Sequence, residues 1–270
     1  MRLQVRHQTV YRFDTPMRGV VQSHRLRPCD CASQAVLSWD IGVAGGTRGA
    51  AFRDGAGDQV ETVTLRGQVD TLEVDVTGVV ETSDLSGVLR GHRETVPPLV
   101  YLRHSPSTRA DPAIRDLAAE AVRARTEVLD RAHALSDAVI AAVDYRPGET
   151  HAETTAAEAL AHGFGVCQDH AHLLIAAAIS VDIPARYVAG YLFSEGGGAM
   201  AEASHAWAEL HIPRLGWVGF DASNQTCPDE RYIRLGSGFD ATDAAPIRGI
   251  SQGAGIERLD VDVSVQQVQQ

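Results

Sequence analysis

The spacing of apolar residues changes period twice along this chain, and that double switch constrains the fold more than any other feature. Residues 1 to about 100 alternate in the period-2 manner of half-buried strands: Leu3/Val5, Val36/Leu37/Trp39/Ile41, Val60/Thr62/Thr64, Leu72/Val74/Val76 and Val79/Val80. Glycine and aspartate clusters at Gly45-Gly46, Asp54-Gly55-Ala56-Gly57-Asp58 and Gly78 punctuate them. The pattern predicts an all-β, sandwich-like domain over residues 1–100. Val96-Pro97-Pro98-Leu99-Val100-Tyr101-Leu102 reads as the linker, because paired prolines exclude a central helix.

From Asp111 the period becomes helical. Asp111-Pro112 is a helix start, an N-cap followed by proline at the first helical position, and Ile114, Leu117, Ala118 and Ala121 then share a face. A second helix is predicted over Glu127 to Val143 and a short third over Thr154 to Ala161, ended at Gly163. A fourth starts at Cys167, with Ala171, Leu174, Ile175 and Ala178 at helical spacing. Beyond Pro184 strand patterns return at Arg186–Phe193, Ser204–Ile212, Gly216–Asp221 and Arg231–Leu235. They read as a meander joined by turns at Gly196-Gly197-Gly198 and Pro213-Arg214-Leu215-Gly216, and a last strand is expected at Leu259–Val268. Residues 101–270 are therefore expected to form an α+β domain, helices first and an antiparallel sheet after, rather than βαβ winding.

Composition excludes several classes. A net charge of −11 argues against nucleic acid or an anionic membrane as the main partner, since both require a basic surface. No run of apolar residues approaches the ~18 needed to span a bilayer. The N-terminus lacks the apolar core of a secretory signal. Four cysteines (Cys29, Cys31, Cys167, Cys227) are too few for a disulfide scaffold and fit a reducing cytoplasm. Cys29 and Cys31 stand too close in sequence for an ordinary disulfide.

Cys167 follows a glycine-rich turn and opens a helix. Unpaired N–H groups and the helix dipole at such an end favour the thiolate, moving a free-cysteine pKa of about 8.5 down to roughly 3.5–7.5. A dipole cannot shuttle protons, so a thiol nucleophile also needs a base. His205, mid-strand in Ser204-His205-Ala206-Trp207, is the best candidate, with Asp221 to orient it. Adjacent antiparallel strands flanking Pro213–Gly216 would set these two side by side. The Cys167 N–H is a natural oxyanion donor. Gln168 and Tyr145 are candidates for a second donor, and Asp169, Trp207 and Asn224 for supporting contacts. Cys167, His170, His172 and nearby His162 also mix ligand types that zinc accepts, but no Cys-x-x-Cys or His-x-x-x-His pair completes a set. No metal or cofactor is assigned.

Four stretches together resemble the bacterial transglutaminase-like superfamily, whose members are often described as candidate cysteine proteases. They are Gly165-Val166-Cys167-Gln168-Asp169 with His172, Ile183–Tyr191, His205-Ala206-Trp207, and Gly216–Asp221. The resemblance extends to the N-terminal β domain of the bacterial branch, from the Leu3–Tyr11 strand, and to Tyr145-x-x-Gly148-x-Thr150 and Pro246–Gly249. It implies a papain-like core with a Cys167–His205–Asp221 triad and acyl transfer from an amide to water or an amine. Two departures stand out: His170 replaces a usual aromatic residue, and Asp221-Ala222-Ser223-Asn224 replaces Asp-Pro-Thr-Asn. The expected activity is thiol-dependent hydrolysis of peptide or isopeptide amides. Protein-glutamine transamidation and a catalytically silent interaction scaffold are the alternatives.

Overall fold

The computed structural model describes residues 1–194 and 204–268. The glycine turn expected at Gly196–Gly198 lies outside them. Four strands occupy the first third of the chain: β1 (Arg2–Arg27), β2 (Gln34–Val43), β3 (Thr47–Arg53) and β4 (Gln59–Thr82). β1 and β4 pair antiparallel along most of their length, with register shifts between Arg12 and Met17 and between Met17 and Gly19. Such irregularities bend strands. The halves of this long ladder enclose an apolar core that includes Leu3, Val5, Met17, Leu26, Leu72 and Val80. The segments Val60–Thr64 and Leu72–Val80 are thus one strand, because the pairing continues past the irregularity.

After a 3-10 turn at Pro98–Leu102 come α1 (Pro112–Val122), α2 (Val128–Ala142), α3 (Ala156–His162) and α4 (Cys167–Ser180), with short β5 (Asp144–Tyr145) and β6 (Phe164–Gly165) pairing between them. The caps explain the boundaries. The Asp111 carboxylate accepts from Ile114 N at 2.8 Å, Thr155 and Glu158 form a capping box, and Gly163 ends α3 with φ of 72°. α4 is apolar nearly all round, so it becomes the central element, contacting the other three helices and the sheet behind it.

That sheet holds β7 (Ala185–Leu192), β8 (Ser204–Ile212), β9 (Gly216–Phe220) and β10 (Tyr232–Gly238). Its order is β10-β7-β8-β9, not the expected meander. β10 crosses to the far edge, where Ile233 and Leu235 join Tyr191 of β7 in the core of the N-terminal sheet. The C-terminal strands, β11 (Ile247–Gln252) and β12 (Glu257–Gln267), do not extend this sheet. They pair with β1 and make the N-terminal sheet six-stranded. The boundary drawn at residue 100 therefore leaves out two strands that return to the first layer.

A buried ionic cluster joins the layers. Arg234 of β10 donates to Glu209 of β8 at 2.9 Å and to Asp58 at 2.8 Å. Arg186 of β7 donates to Glu209 at 2.7 Å and to Glu94 at 2.5 Å, its guanidinium 4.0 Å from the Trp217 ring centroid. Burial alone would raise the Glu209 pKa, but the charges of Arg234 and Arg186 bring it down to about 2. Removing one partner strands the others, so Arg234→Met is expected to cost about 3–5 kcal/mol in a urea unfolding experiment. A carboxyl depressed on folding stabilises the fold above its unfolded pKa of 4.5. That contribution disappears as pH falls toward about 2, so circular dichroism should show acid unfolding in this window.

Candidate active site

Cys167 is the first residue of α4, directly after the N-cap Val166. The turn before it is held by Asp169, whose carboxylate accepts from Val166 N at 2.8 Å and from the Thr150 hydroxyl at 2.7 Å. Gly165 is required here, because a Cβ would lie 2.6 Å from the Asp169 side chain. The thiol is partly exposed and sits at a cavity of about 290 Å³ that also includes His205, Gln168, Tyr187, Tyr191 and His7.

His205 pairs with Gly190 across β7 and β8. A Cβ at Gly190 would come 2.3 Å from Ile233 O and 2.6 Å from the Trp207 ring, so the close approach of these strands demands glycine. The His205 Nε2–H donates to Asp221 Oδ2 at 2.6 Å, and the ring shares the cavity with Cys167. Asp221 is not directly opposite His205. β9 ends at Phe220, paired with Ala208, and Asp221 is carried by the following turn, bridged to Thr226.

Asp221 gathers further donors: the Ser223 hydroxyl at 2.7 Å, Asn224 N at 3.2 Å, the Asn224 side-chain amide at 2.7 Å and the Tyr232 hydroxyl at 2.8 Å. Burial opposes ionisation of its carboxyl, but His205 and these donors hold the pKa at about 2. Burial likewise opposes charge on His205, yet its bond to Asp221 and that carboxylate's charge, with Cys167 close by, lift it to about 10. Trp207 stacks against His205, with ring centroids 6.4 Å apart, and meets Tyr232 edge-on.

The remaining expected residues divide. Gln168 lines the cavity and donates its amide to Ala152 O at 3.0 Å. Tyr145, on β5, is half-exposed, does not line the cavity, and has its ring 6.2 Å from that of His170. His170 is buried, with Nδ1 2.9 Å from Val166 O and Nε2 3.0 Å from Val143 O, so it braces the backbone around the turn. His172 accepts from Ala241 N, and burial lowers its pKa to about 4. The zinc alternative is not assembled: among the described residues no group of three or more His, Cys, Asp or Glu is placed to hold a metal ion.

Sequence reasoning missed His7, Ser223 and Tyr232. Ser223 carried a signal, since Asp-x-Ser-Asn is a side-chain-capped turn. His7 carried none. It belongs to β1, where its Nδ1 meets the Tyr191 hydroxyl at 2.8 Å, and burial lowers its pKa to about 4.

Residues 115–222 match the transglutaminase-like superfamily and residues 3–81 the bacterial transglutaminase-like N-terminal region. An uncharacterized protein of Mycobacterium leprae is 31% identical, with 98% of each chain covered. An uncharacterized protein of Mycobacterium tuberculosis is 35% identical over 57% of this chain, which spans about half (51%) of that relative's length. A crystal structure from Cytophaga hutchinsonii, named as a candidate cysteine protease, superposes with a TM-score of 0.76 at 22% identity. It covers 100% of this chain and 92% of its own, so its likeness is one of fold. The chain belongs to the bacterial transglutaminase-like superfamily and has the α+β architecture of that family.

Since the Asp221 contact heads the influences that raise His205, Asp221→Asn should move the imidazole titration, read by NMR, from about pH 10 to well below that value. An unmoved titration would show that Asp221 does not control the ring.

Proposed function

We propose that this chain is a thiol-dependent acyl-transfer enzyme that hydrolyses peptide or isopeptide amides, with Cys167 as nucleophile, His205 as acid and base, and Asp221 as the group that orients and charges His205. The observation that carries this reading is the imidazole held between a partly exposed thiol at a helix N-terminus and a carboxylate loaded with donors. Family membership supports thiol-dependent acyl transfer.

In this mechanism the Cys167 sulfur attacks the amide carbonyl carbon, and negative charge develops on oxygen. The Cys167 N–H, which has no helical acceptor at that position, points at the developing oxyanion. Gln168 is the better second donor, because it lines the cavity and its amide is steadied by Ala152 O. His205, bound to Asp221 through Nε2, gives the proton on Nδ1 to the amide nitrogen as the C–N bond breaks and the amine leaves. Water then attacks the thioester, passes a proton to His205, and the C–S bond breaks to restore the sulfur. Partial exposure of Cys167 and Gln168 favours water as the acceptor. The four free cysteines favour a reducing compartment, which we take to be the cytoplasm.

The test is incubation with mixed peptides and a primary amine, followed by mass spectrometry. Cleavage or deamidation is expected, Cys167→Ala should abolish it, and Gln168→Ala should slow acylation by roughly 10²-fold. Amine incorporation in place of hydrolysis would reassign the acceptor, and undiminished turnover by Cys167→Ala would sink the mechanism.

A further inference from the structure

A second thiol cluster lies in the N-terminal layer. Beyond β1 the chain enters a tight turn closed by Cys31 N donating to Gln34 O at 3.0 Å and Gln34 N donating to Cys31 O at 3.2 Å. Cys29 is fully buried and Cys31 partly exposed. The Cys29 sulfur lies 3.3 Å from His92 Nδ1, while His92 Nε2 lies 2.6 Å from Ala56 O. A carbonyl only accepts, so Nε2 carries the ring hydrogen and Nδ1 offers its lone pair to the Cys29 S–H. The Cys31 sulfur is 3.2 Å from the Ser33 hydroxyl and within hydrogen-bond reach of Cys29 and the Ser33 and Gln34 backbones.

We propose that Cys29, Cys31 and His92 form a hydroperoxide-oxidisable thiol pair, a modification site independent of Cys167. Cys31 is the partly exposed residue of the pair, with the Ser33 hydroxyl beside its sulfur, and Cys29 is the resolving thiol with a base already in place. A cysteine buried only for packing has no need of either arrangement. The two ionisations diverge accordingly. Contact with Cys29, and with the Ser33 hydroxyl and backbone, brings the Cys31 pKa down to about 5 against the opposing cost of burial, and contact with Cys31, with burial, pushes Cys29 up.

The chemistry balances in two steps. The Cys31 thiolate attacks the near oxygen of a hydroperoxide. The S–O bond forms as the O–O bond breaks, the departing alkoxide takes a proton from water, and Cys31 becomes a sulfenic acid. His92 then accepts the Cys29 proton, the Cys29 sulfur attacks the Cys31 sulfur, and the S–O bond breaks. The leaving hydroxide takes the proton from His92 and departs as water. The disulfide closes over a single residue, which strains it and makes it readily reducible, as a reversible mark requires.

Cys167→Ser protein, in which the proposed catalytic thiol is absent, should be treated with equimolar hydrogen peroxide and analysed by intact mass and peptide mapping. A loss of two hydrogens is expected on the peptide holding Cys29 and Cys31, reversed by dithiothreitol. Cys29→Ser in that background should instead give a one-oxygen adduct at Cys31 that dimedone traps. His92→Asn should slow disulfide closure at least about tenfold without slowing the first oxidation. Because the primary readout uses the native pair, it does not depend on a variant of the cluster folding. Oxygen uptake confined to methionine or Cys227, with Cys29 and Cys31 still alkylatable, would overturn the proposal whatever the fate of the Cys167 mechanism.

Discussion

The paired arginines around Glu209 are the interaction on which the rest of the structure depends. Arg186, Arg234, Glu209, Asp58 and Glu94 come from β7, β10, β8, the end of the β3–β4 turn and the stretch between β4 and the Pro98–Leu102 turn, so five separate segments meet at one desolvated cluster. Ion pairs of this kind add little net stability over an apolar alternative, because desolvation consumes most of the Coulomb gain. Their consequence is positional. Glu209 shares a face of β8 with His205 and Trp207, and Arg234 is two residues from Tyr232, which donates to Asp221. Fixing β10 against β8 therefore fixes the distance between the imidazole and the carboxylate that charges it. The opposite face of β8, with Ala206, Ala208 and Leu210, meets the apolar helices and supplies the stability that the charged face does not.

Local elements were legible because local chemistry sets them. Asp111-Pro112, Thr155 with Glu158, and Gly163 mark helix ends within one turn of their own residues. The strand at Ser204–Ile212 falls where the alternation placed it. What could not be read was the pairing of distant strands. Nothing in Tyr232–Gly238 says that it crosses to the far side of β7, and nothing in Ile247–Gln267 says that it returns to β1. Those choices depend on burying Ile233 and Leu235 against the first sheet and on completing backbone ladders along both halves of β1. Such contacts exist only after the chain has been folded back on itself.

The site divides in the same way. Cys167, His205 and Asp221 could be named from residue type and flanking pattern, and the geometry brings them together. The expected facing of His205 and Asp221 across the hairpin was only approximate, since Phe220 pairs with Ala208 and Asp221 reaches His205 from a turn. Tyr145 was chosen by type alone and lies away from the cavity lining, whereas His7 enters it from the N-terminal layer. A single strand residue such as His7 reads as ordinary packing until another layer, here Tyr191, is seen against it.

The donors on Asp221 answer where the shared proton resides. A carboxylate and an imidazole 2.6 Å apart compete for one proton, and burial of both strengthens whichever way the competition leans. If Asp221 accepted only from His205, desolvation would raise its affinity for the proton and weaken the charge on the ring. The Ser223 hydroxyl, the Asn224 amide and the Tyr232 hydroxyl each stabilise the ionised carboxylate and make it a poorer base. The proton therefore stays on His205, whose ring lines the same cavity as Cys167. Seen this way, the replacement of Pro-Thr by Ala-Ser after Asp221 keeps what the carboxylate requires, a hydroxyl two residues on, while Tyr232 adds a donor from the strand that the ionic cluster holds in place.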